Sequence, residues 1–326
     1  MKSPNLIRIV AVTLAITFLP DLGLLAMQHE HGPNQQDPAL KVEVDLVSLS
    51  VLVTDQDGQA VTGLKKEDFK VYENKVEQPV SFFSSDEAPV SWGLVLDRSG
   101  SMMLMMRDVY QAAVHVIDQG TEHDEMFIMT FSDVTQLVRD FTSDRYQLEK
   151  SLVGLEAGGT TALYDAVFSG LNHMHHGKHS KKVLVVLTDG EDNDSRIKFP
   201  KLIDRAEEAD VLIYTVGMFE SSLDLGRFSI MGTGFTKREL EKLAEVTGAS
   251  SHFPTNLEQC KETMKAIARE VSQQYSLGYY PSNPARDGQW RKIKVVVSRP
   301  GDKQAKYVAR TRTGYYAPKG NEGKHP

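Results

Sequence analysis

"SWGLVLDRSGSMM", residues 91–103, runs apolar and then breaks into Asp97, Ser99 and Ser101 at alternate positions. A carboxylate and two hydroxyls spaced this way present hard oxygen donors from one short loop, and Gly100 permits the bend between them. Two further stretches carry the same chemistry. "VLVVLTDG" ends an apolar run in Thr188, Asp189 and Gly190, and "AGGTTALYDA" sets Gly158, Gly159 and Thr160 before a helix-period segment. Carboxylate and hydroxyl oxygens, without sulfur or imidazole, suit Mg²⁺, Mn²⁺ or Ca²⁺ over Zn²⁺ or Cu²⁺. The chemistry on offer is the binding of a hard divalent cation, provided the three loops meet.

The elements around them supply that meeting point. Residues 91–272 alternate strand and helix patterns. The strands are "WGLVL", "MFIMTF", "TQLVRDF", "KKVLVVL" and "VLIYTV", and helix-period segments cover 102–118, 145–153, 161–176, 199–208, 236–247 and 256–273. Solidly apolar strands predict an α/β fold, doubly wound, with a mostly parallel sheet covered by helices on both faces. Such sheets hold ligands beyond the carboxyl ends of their strands. Asp97 and Asp189 fall there.

The flanks read differently. Residues 40–88 form an N-terminal β segment with alternating apolar positions at Val42, Val44 and Leu46, then at Leu49, Val51 and Val53, and the change of phase implies a bend or bulge. "DFKVYE" and "PVSFF" read as two further strands separated by the turn "ENK". Residues 274–318 form a C-terminal β segment containing "YSLGYY", "WRKIKVVVS" and "KYVARTR". Each flank is too small to be a robust domain alone, so the two are expected to pair in a β-sandwich-like domain with the α/β unit inserted between them. Residues 319–326 are expected to be a disordered tail.

The chain has 326 residues, 40% of them hydrophobic, and a net charge of −7, so it can bury a large core and has no electrostatic reason to seek nucleic acid or an anionic membrane. Lys2 and Arg8 with the apolar run to Leu19 and the small residues near Ala26 read as a secretory signal peptide over 1–26, the alternative being an uncleaved membrane anchor, and 27–39 reads as a flexible leader. The expected location is exported: periplasm, cell surface or extracellular. Cys260 is the one cysteine, so no internal disulfide is available. It shares a helical face with Leu257, Met264, Ile267 and Val271 and reads as a buried small hydrophobe.

"DRSGSM", "GGTT" and "LTDG", in this order and on this strand–helix rhythm, resemble the von Willebrand factor type A domain over about residues 91–272. The resemblance implies a metal-ion-dependent adhesion site. Ser99 and Ser101 would bind the ion directly, Thr160 directly or through water, and Asp97 and Asp189 mostly through water; Thr161 is the neighbouring candidate. It also implies a partner that offers an Asp or Glu carboxylate to the ion. The flanks "VTDQDGQAVTGLKKEDFKVYENKVEQPVSFF" and "YSLGYYPSNPARDGQWRKIKVVV" resemble a bacterial exported family, the VWFA-related, acidobacterial-type domain proteins. Residues 219–235 are longer than the usual connection and read as a surface insertion.

Other patterns carry less. His173, His175, His176 and His179 lie at a helix end without a carboxylate or cysteine to complete a zinc set. "GEDND", residues 190–194, lacks the ligand spacing of a calcium-binding loop and reads as an acidic rim. No nucleophile elbow and no nucleotide-binding glycine pattern is present, so no enzymatic activity is expected. The readings of other classes are a structural scaffold in an envelope assembly, stabilised by metal, and a metal-assisted hydrolase.

Overall fold

A computed structural model describes residues 46–189, 192–218, 237–299 and 306–320. The expected signal peptide, the leader, the start of the N-terminal β segment, the 219–235 insertion and residues 321–326 lie outside the described residues. Among those described, no helix is long and apolar enough to cross a membrane.

The first strands among the described residues are β1 (Val47–Thr54), β2 (Phe69–Glu73), β3 (Val76–Gln78) and β4 (Val80–Ser84). In β1 the side chains of Val47, Leu49, Val51 and Val53 are buried, while Leu46 just before it is 43% exposed. The pairing with β11 runs without a shift from Val47, so no bulge separates Leu46 from Leu49 and the two simply fall on opposite faces. The "ENK" turn is a tight one, with Asn74 and Lys75 both at positive φ, 47° and 73°. It closes a β2–β3 hairpin and so adds a strand where the sequence reading had only a turn. Pro79 then interrupts the ladder, since it has no N–H to donate, and β4 leaves for another sheet.

The α/β unit begins at β5 (Val90–Asp97), which is buried throughout. There follow α1 (Met106–Gln119), β6 (Glu125–Phe131), β7 (Thr135–Thr142), α2 (Arg145–Ser151), α3 (Leu163–His173), β8 (Lys181–Thr188), α4 (Phe199–Glu208), β9 (Leu212–Gly217), α5 (Lys237–Thr247), β10 (Ser251–His252) and α6 (Leu257–Ser272). The sheet order is β10-β9-β8-β5-β6-β7, parallel except where β7 pairs antiparallel with β6 at the edge. Alternate residues of β5 enter opposite cores. Trp92, Leu94 and Leu96 pack with α1 and α6, whose Cys260, Met264, Ile267 and Val271 are all buried. Val95, on the other face, packs with α3, α4 and α5. Gly93 is required where the sheet and its cover are tightest, because a Cβ there would sit 2.5 Å from Phe127 and 2.6 Å from Leu184.

The chain ends in β11 (Tyr275–Tyr279), β12 (Trp290–Val297), β13 (Val308–Arg310) and β14 (Gly314–Tyr316). These interleave with the first strands in two antiparallel sheets, β13-β1-β11-β4 and β14-β12-β2-β3. Val51, Val71, Leu277 and Ile293, one from each of four strands, belong to a single core between the sheets. Buried Glu73 is paired there: it accepts from the hydroxyls of Tyr279 and Tyr315, each at 2.9 Å.

Candidate functional site

Asp97 is the last residue of β5 and is fully buried. Both of its oxygens are held. Oδ1 accepts the Ser99 backbone N–H at 2.8 Å, and Oδ2 accepts the Thr188 hydroxyl, from the end of β8, at 2.7 Å. The first bond turns the chain back over the carboxylate and brings the Ser99 and Ser101 hydroxyl oxygens to 3.1 Å from one another. Ser99 is buried and Ser101 is exposed, so the pair leads from the sheet edge out to solvent.

The second loop is stitched to the first by its backbone. The Gly158 N–H donates to the Arg98 carbonyl at 2.8 Å, and the Gly100 N–H donates to the Gly159 carbonyl at 3.0 Å. Gly159 has φ +85°, and a Cβ on it would lie 2.6 Å from Asp133 Oδ1, so only glycine permits this approach. Thr160 follows at the surface and donates its hydroxyl to Asp194 Oδ2 at 2.8 Å. Thr161 is buried, and its backbone is tied on both sides: its N–H donates to Asn193 Oδ1 at 2.9 Å, and its carbonyl accepts from the N–H groups of Asn193 and Asp194.

Asp189 follows β8 and is buried. Burial first, and the neighbouring Asp189 charge second, push the Asp97 carboxyl up to about 7, against the lowering effect of its bonds from Ser99 and Thr188. Two carboxylates are thus brought close enough to repel at the carboxyl edge of a parallel sheet. The structure places Asp97, Ser99 and Ser101 in one turn, Asp189 beside them, and Thr160 on the loop hydrogen-bonded to that turn.

This donor set fits a hard divalent cation. Neighbouring oxygens in an octahedral Mg²⁺ shell lie about 2.9 Å apart, from metal–oxygen distances of 2.0–2.1 Å, and the two serine hydroxyls already approach that spacing. A bound cation would supply positive charge to offset the Asp97–Asp189 repulsion and a coordination position for an outside carboxylate. Asp97 and Asp189 would orient the water around it. The Thr160 hydroxyl, donating to Asp194, keeps its lone pairs for the ion.

Sequence reading missed part of the support. "GEDND" is more than an acidic rim. Asp192 accepts the Tyr164 N–H at 3.2 Å, and Asn193 and Asp194 hold residues 160 and 161. Ser132, buried at the end of β6, donates to Asp133 at 2.9 Å directly beneath Gly159, and its carbonyl accepts the Ala162 N–H. The strand-end rule that led to Asp97 and Asp189 also points to "FSD" after β6. The histidines take other roles. His173 stacks on Phe141 with centroids 5.5 Å apart and bonds to Asp140 at 2.9 Å, and His175 faces Arg205.

Residues 93–270, more than half of the chain, match the von Willebrand factor type A domain family. The chain belongs to that family. A relative in Borreliella burgdorferi, an uncharacterized protein, is 23% identical over 180 residues, covering 54% of this chain and 50% of its own. The chain therefore spans about half the length of the curated relative it matches. Among solved structures, a von Willebrand factor type A protein from Catenulispora acidiphila is 12% identical, covers 83% of this chain and 75% of its own, and gives a TM-score of 0.47. The vWF domain of the type V pili tip protein Mfa5 from Porphyromonas gingivalis is 13% identical, covers 57% and 95%, and gives 0.46. In this type A domain the Asp97 turn lies just inside the matched region, at the carboxyl end of its first strand.

Proposed function

We propose that this type A domain protein binds a protein partner through a divalent cation, Mg²⁺ or else Mn²⁺ or Ca²⁺, held in a metal-ion-dependent adhesion site. Ser99 and Ser101 coordinate it directly, Thr160 directly or through water, and Asp97 and Asp189 mostly through water. An Asp or Glu of the partner fills the remaining position. The observation that carries this reading is the convergence of the two serine hydroxyls, 3.1 Å apart, above a buried Asp97 that already feels the charge of Asp189. The groups that coordinate directly are neutral hydroxyls and the two carboxylates act mostly through water, so the ion keeps much of its positive charge and a partner anion strengthens binding. The site acts by recognition and performs no catalysis. Capture of a partner from envelope extract, with and without chelator, tests it: loss of capture in chelator is expected, and capture unaffected by chelator excludes the metal-bridged mode.

The protein acts outside the cytoplasm, as a member of the VWFA-related, acidobacterial-type exported family. Residues 2–19, basic and then apolar, and the quoted flank motifs support this reading. N-terminal sequencing of the mature protein tests it. A start near residue 27 is expected, and intact Met1 on a soluble cytoplasmic pool overturns it.

A further inference from the structure

We propose that an apolar groove beside the Asp97 turn binds a large apolar side chain of the same partner, two or three residues along from the carboxylate that reaches the metal. This rests on the metal-dependent reading given above. The groove has a volume of 390 Å³ and runs between α1 and the segment after α2, with Met106, Tyr110, Leu152, Val153 and Leu155 in its walls and Arg107 at its rim.

Three observations point to an apolar and acidic occupant. First, apolar side chains are exposed both on the turn after Ser101 and on the groove. Met103 is 65% exposed and Leu104 76%, in the turn that directly follows Ser101, and beyond them Tyr110 is 37% and Val153 70% exposed. A surface of this kind beside a polar site marks a contact region. Second, the turn that holds the proposed ligand Ser101 leads directly into α1, whose first residues line the groove, so one partner segment meets both. The rise from Ser101 to Met106 is about 9 Å, taking about 2.0 Å per residue in the 3₁₀ turn and 1.5 Å in the helix. An extended chain covers that distance in about three residues at 3.3–3.6 Å each. Third, the exposed Arg107 adds a fixed positive charge on the groove side, which favours further acidic residues in the partner.

Methionine suits such a wall, because its unbranched side chain repacks around different apolar shapes. "MMLMM", residues 102–106, has one member, Met102, buried as an anchor, while Met103 and Leu104 face solvent and Met106 lines the groove. The groove selects by size and apolarity; the metal selects by charge.

The test is a peptide selection on the immobilised full-length chain. A random dodecapeptide phage library is bound in Mg²⁺, eluted with EDTA and sequenced. The expected pool carries Asp or Glu with Leu, Ile, Met or Phe two or three positions away, enriched about fivefold over the library, a modest return for one buried apolar side chain. On Val153→Ser and on Tyr110→Ser the acidic position should persist and the spaced apolar preference should disappear; Val153 is exposed enough for its replacement to leave the fold alone. An acidic position without the apolar one, or an apolar preference unchanged in both variants, overturns the groove and leaves the metal reading standing. No EDTA-eluted enrichment at all removes both.

Discussion

The Thr188 hydroxyl donates to Asp97 across 2.7 Å, joining the ends of two adjacent parallel strands under the turn that carries Ser99 and Ser101. Both residues are fully buried, so this bond fixes which way the carboxylate faces. Thr188→Val keeps the shape and removes the donor. Leaving one buried carboxylate oxygen without this bond costs about 1–3 kcal/mol. The expected outcome is a lower unfolding midpoint together with weaker Mg²⁺ binding. Unchanged values of both would mean that Thr188 does not orient Asp97.

Asp97 sets a pH dependence on the metal-free protein. Its carboxyl binds a proton more tightly in the fold, at about 7, than in the unfolded chain, at 3.8. The stability it contributes is therefore complete below pH 3.8 and lost as pH rises through 7. In chelator, wild type should lose stability across this window by an amount on the order of a few kcal/mol, while Asp97→Asn should not show that loss. Asn is accommodated because the Thr188 hydroxyl can reverse and accept from the amide. Thermal unfolding at several pH values checks this; parallel curves for the two proteins would count against it.

Thr160 reaches the site through Asp194. Asp194→Ala removes the acceptor of the Thr160 hydroxyl and exposes no core residue. Outer partners of this kind are worth about 10–100-fold in metal affinity. Weaker Mg²⁺ binding at an unchanged unfolding temperature is expected, and an unchanged Mg²⁺ affinity would place Thr160 outside the working set.

What could be read in advance, and what could not, follows from how local each signal is. The apolar strands and the helical face of Cys260, Met264, Ile267 and Val271 are properties of short windows, and the α/β fold followed from them. Asp97, Ser99 and Ser101 are spaced within one turn and were legible for the same reason. The β2–β3 hairpin was hidden because "VEQ" is too short and too exposed to read as a strand. The roles of Asp192, Asn193 and Asp194 depend on bonds to residues about thirty positions earlier, which no local pattern encodes. The groove beside α1 arises from the packing of two distant segments and has no sequence signature of its own.

The flanking strands depend on one another. β11 lies between β1 and β4, and β12 pairs with β2, so every one of these neighbours comes from the N-terminal flank. Deleting 27–88 should leave the C-terminal strands open to protease. Undiminished resistance of residues 275–316 would show that they fold without the first flank.

Whether Asp97, Ser99, Ser101, Thr160 and Asp189 hold a cation is read most directly by calorimetric titration of Mg²⁺ into wild type and Asp97→Ala, each with and without an acidic peptide. Wild type should bind weakly alone and more tightly with the peptide, because the outside carboxylate is the one anion that contacts the ion directly. Asp97→Ala should bind Mg²⁺ at least about tenfold more weakly, the lower end expected for losing a group that orients the metal's water. Equal Mg²⁺ affinity in the two proteins would show that these loops do not form a metal site.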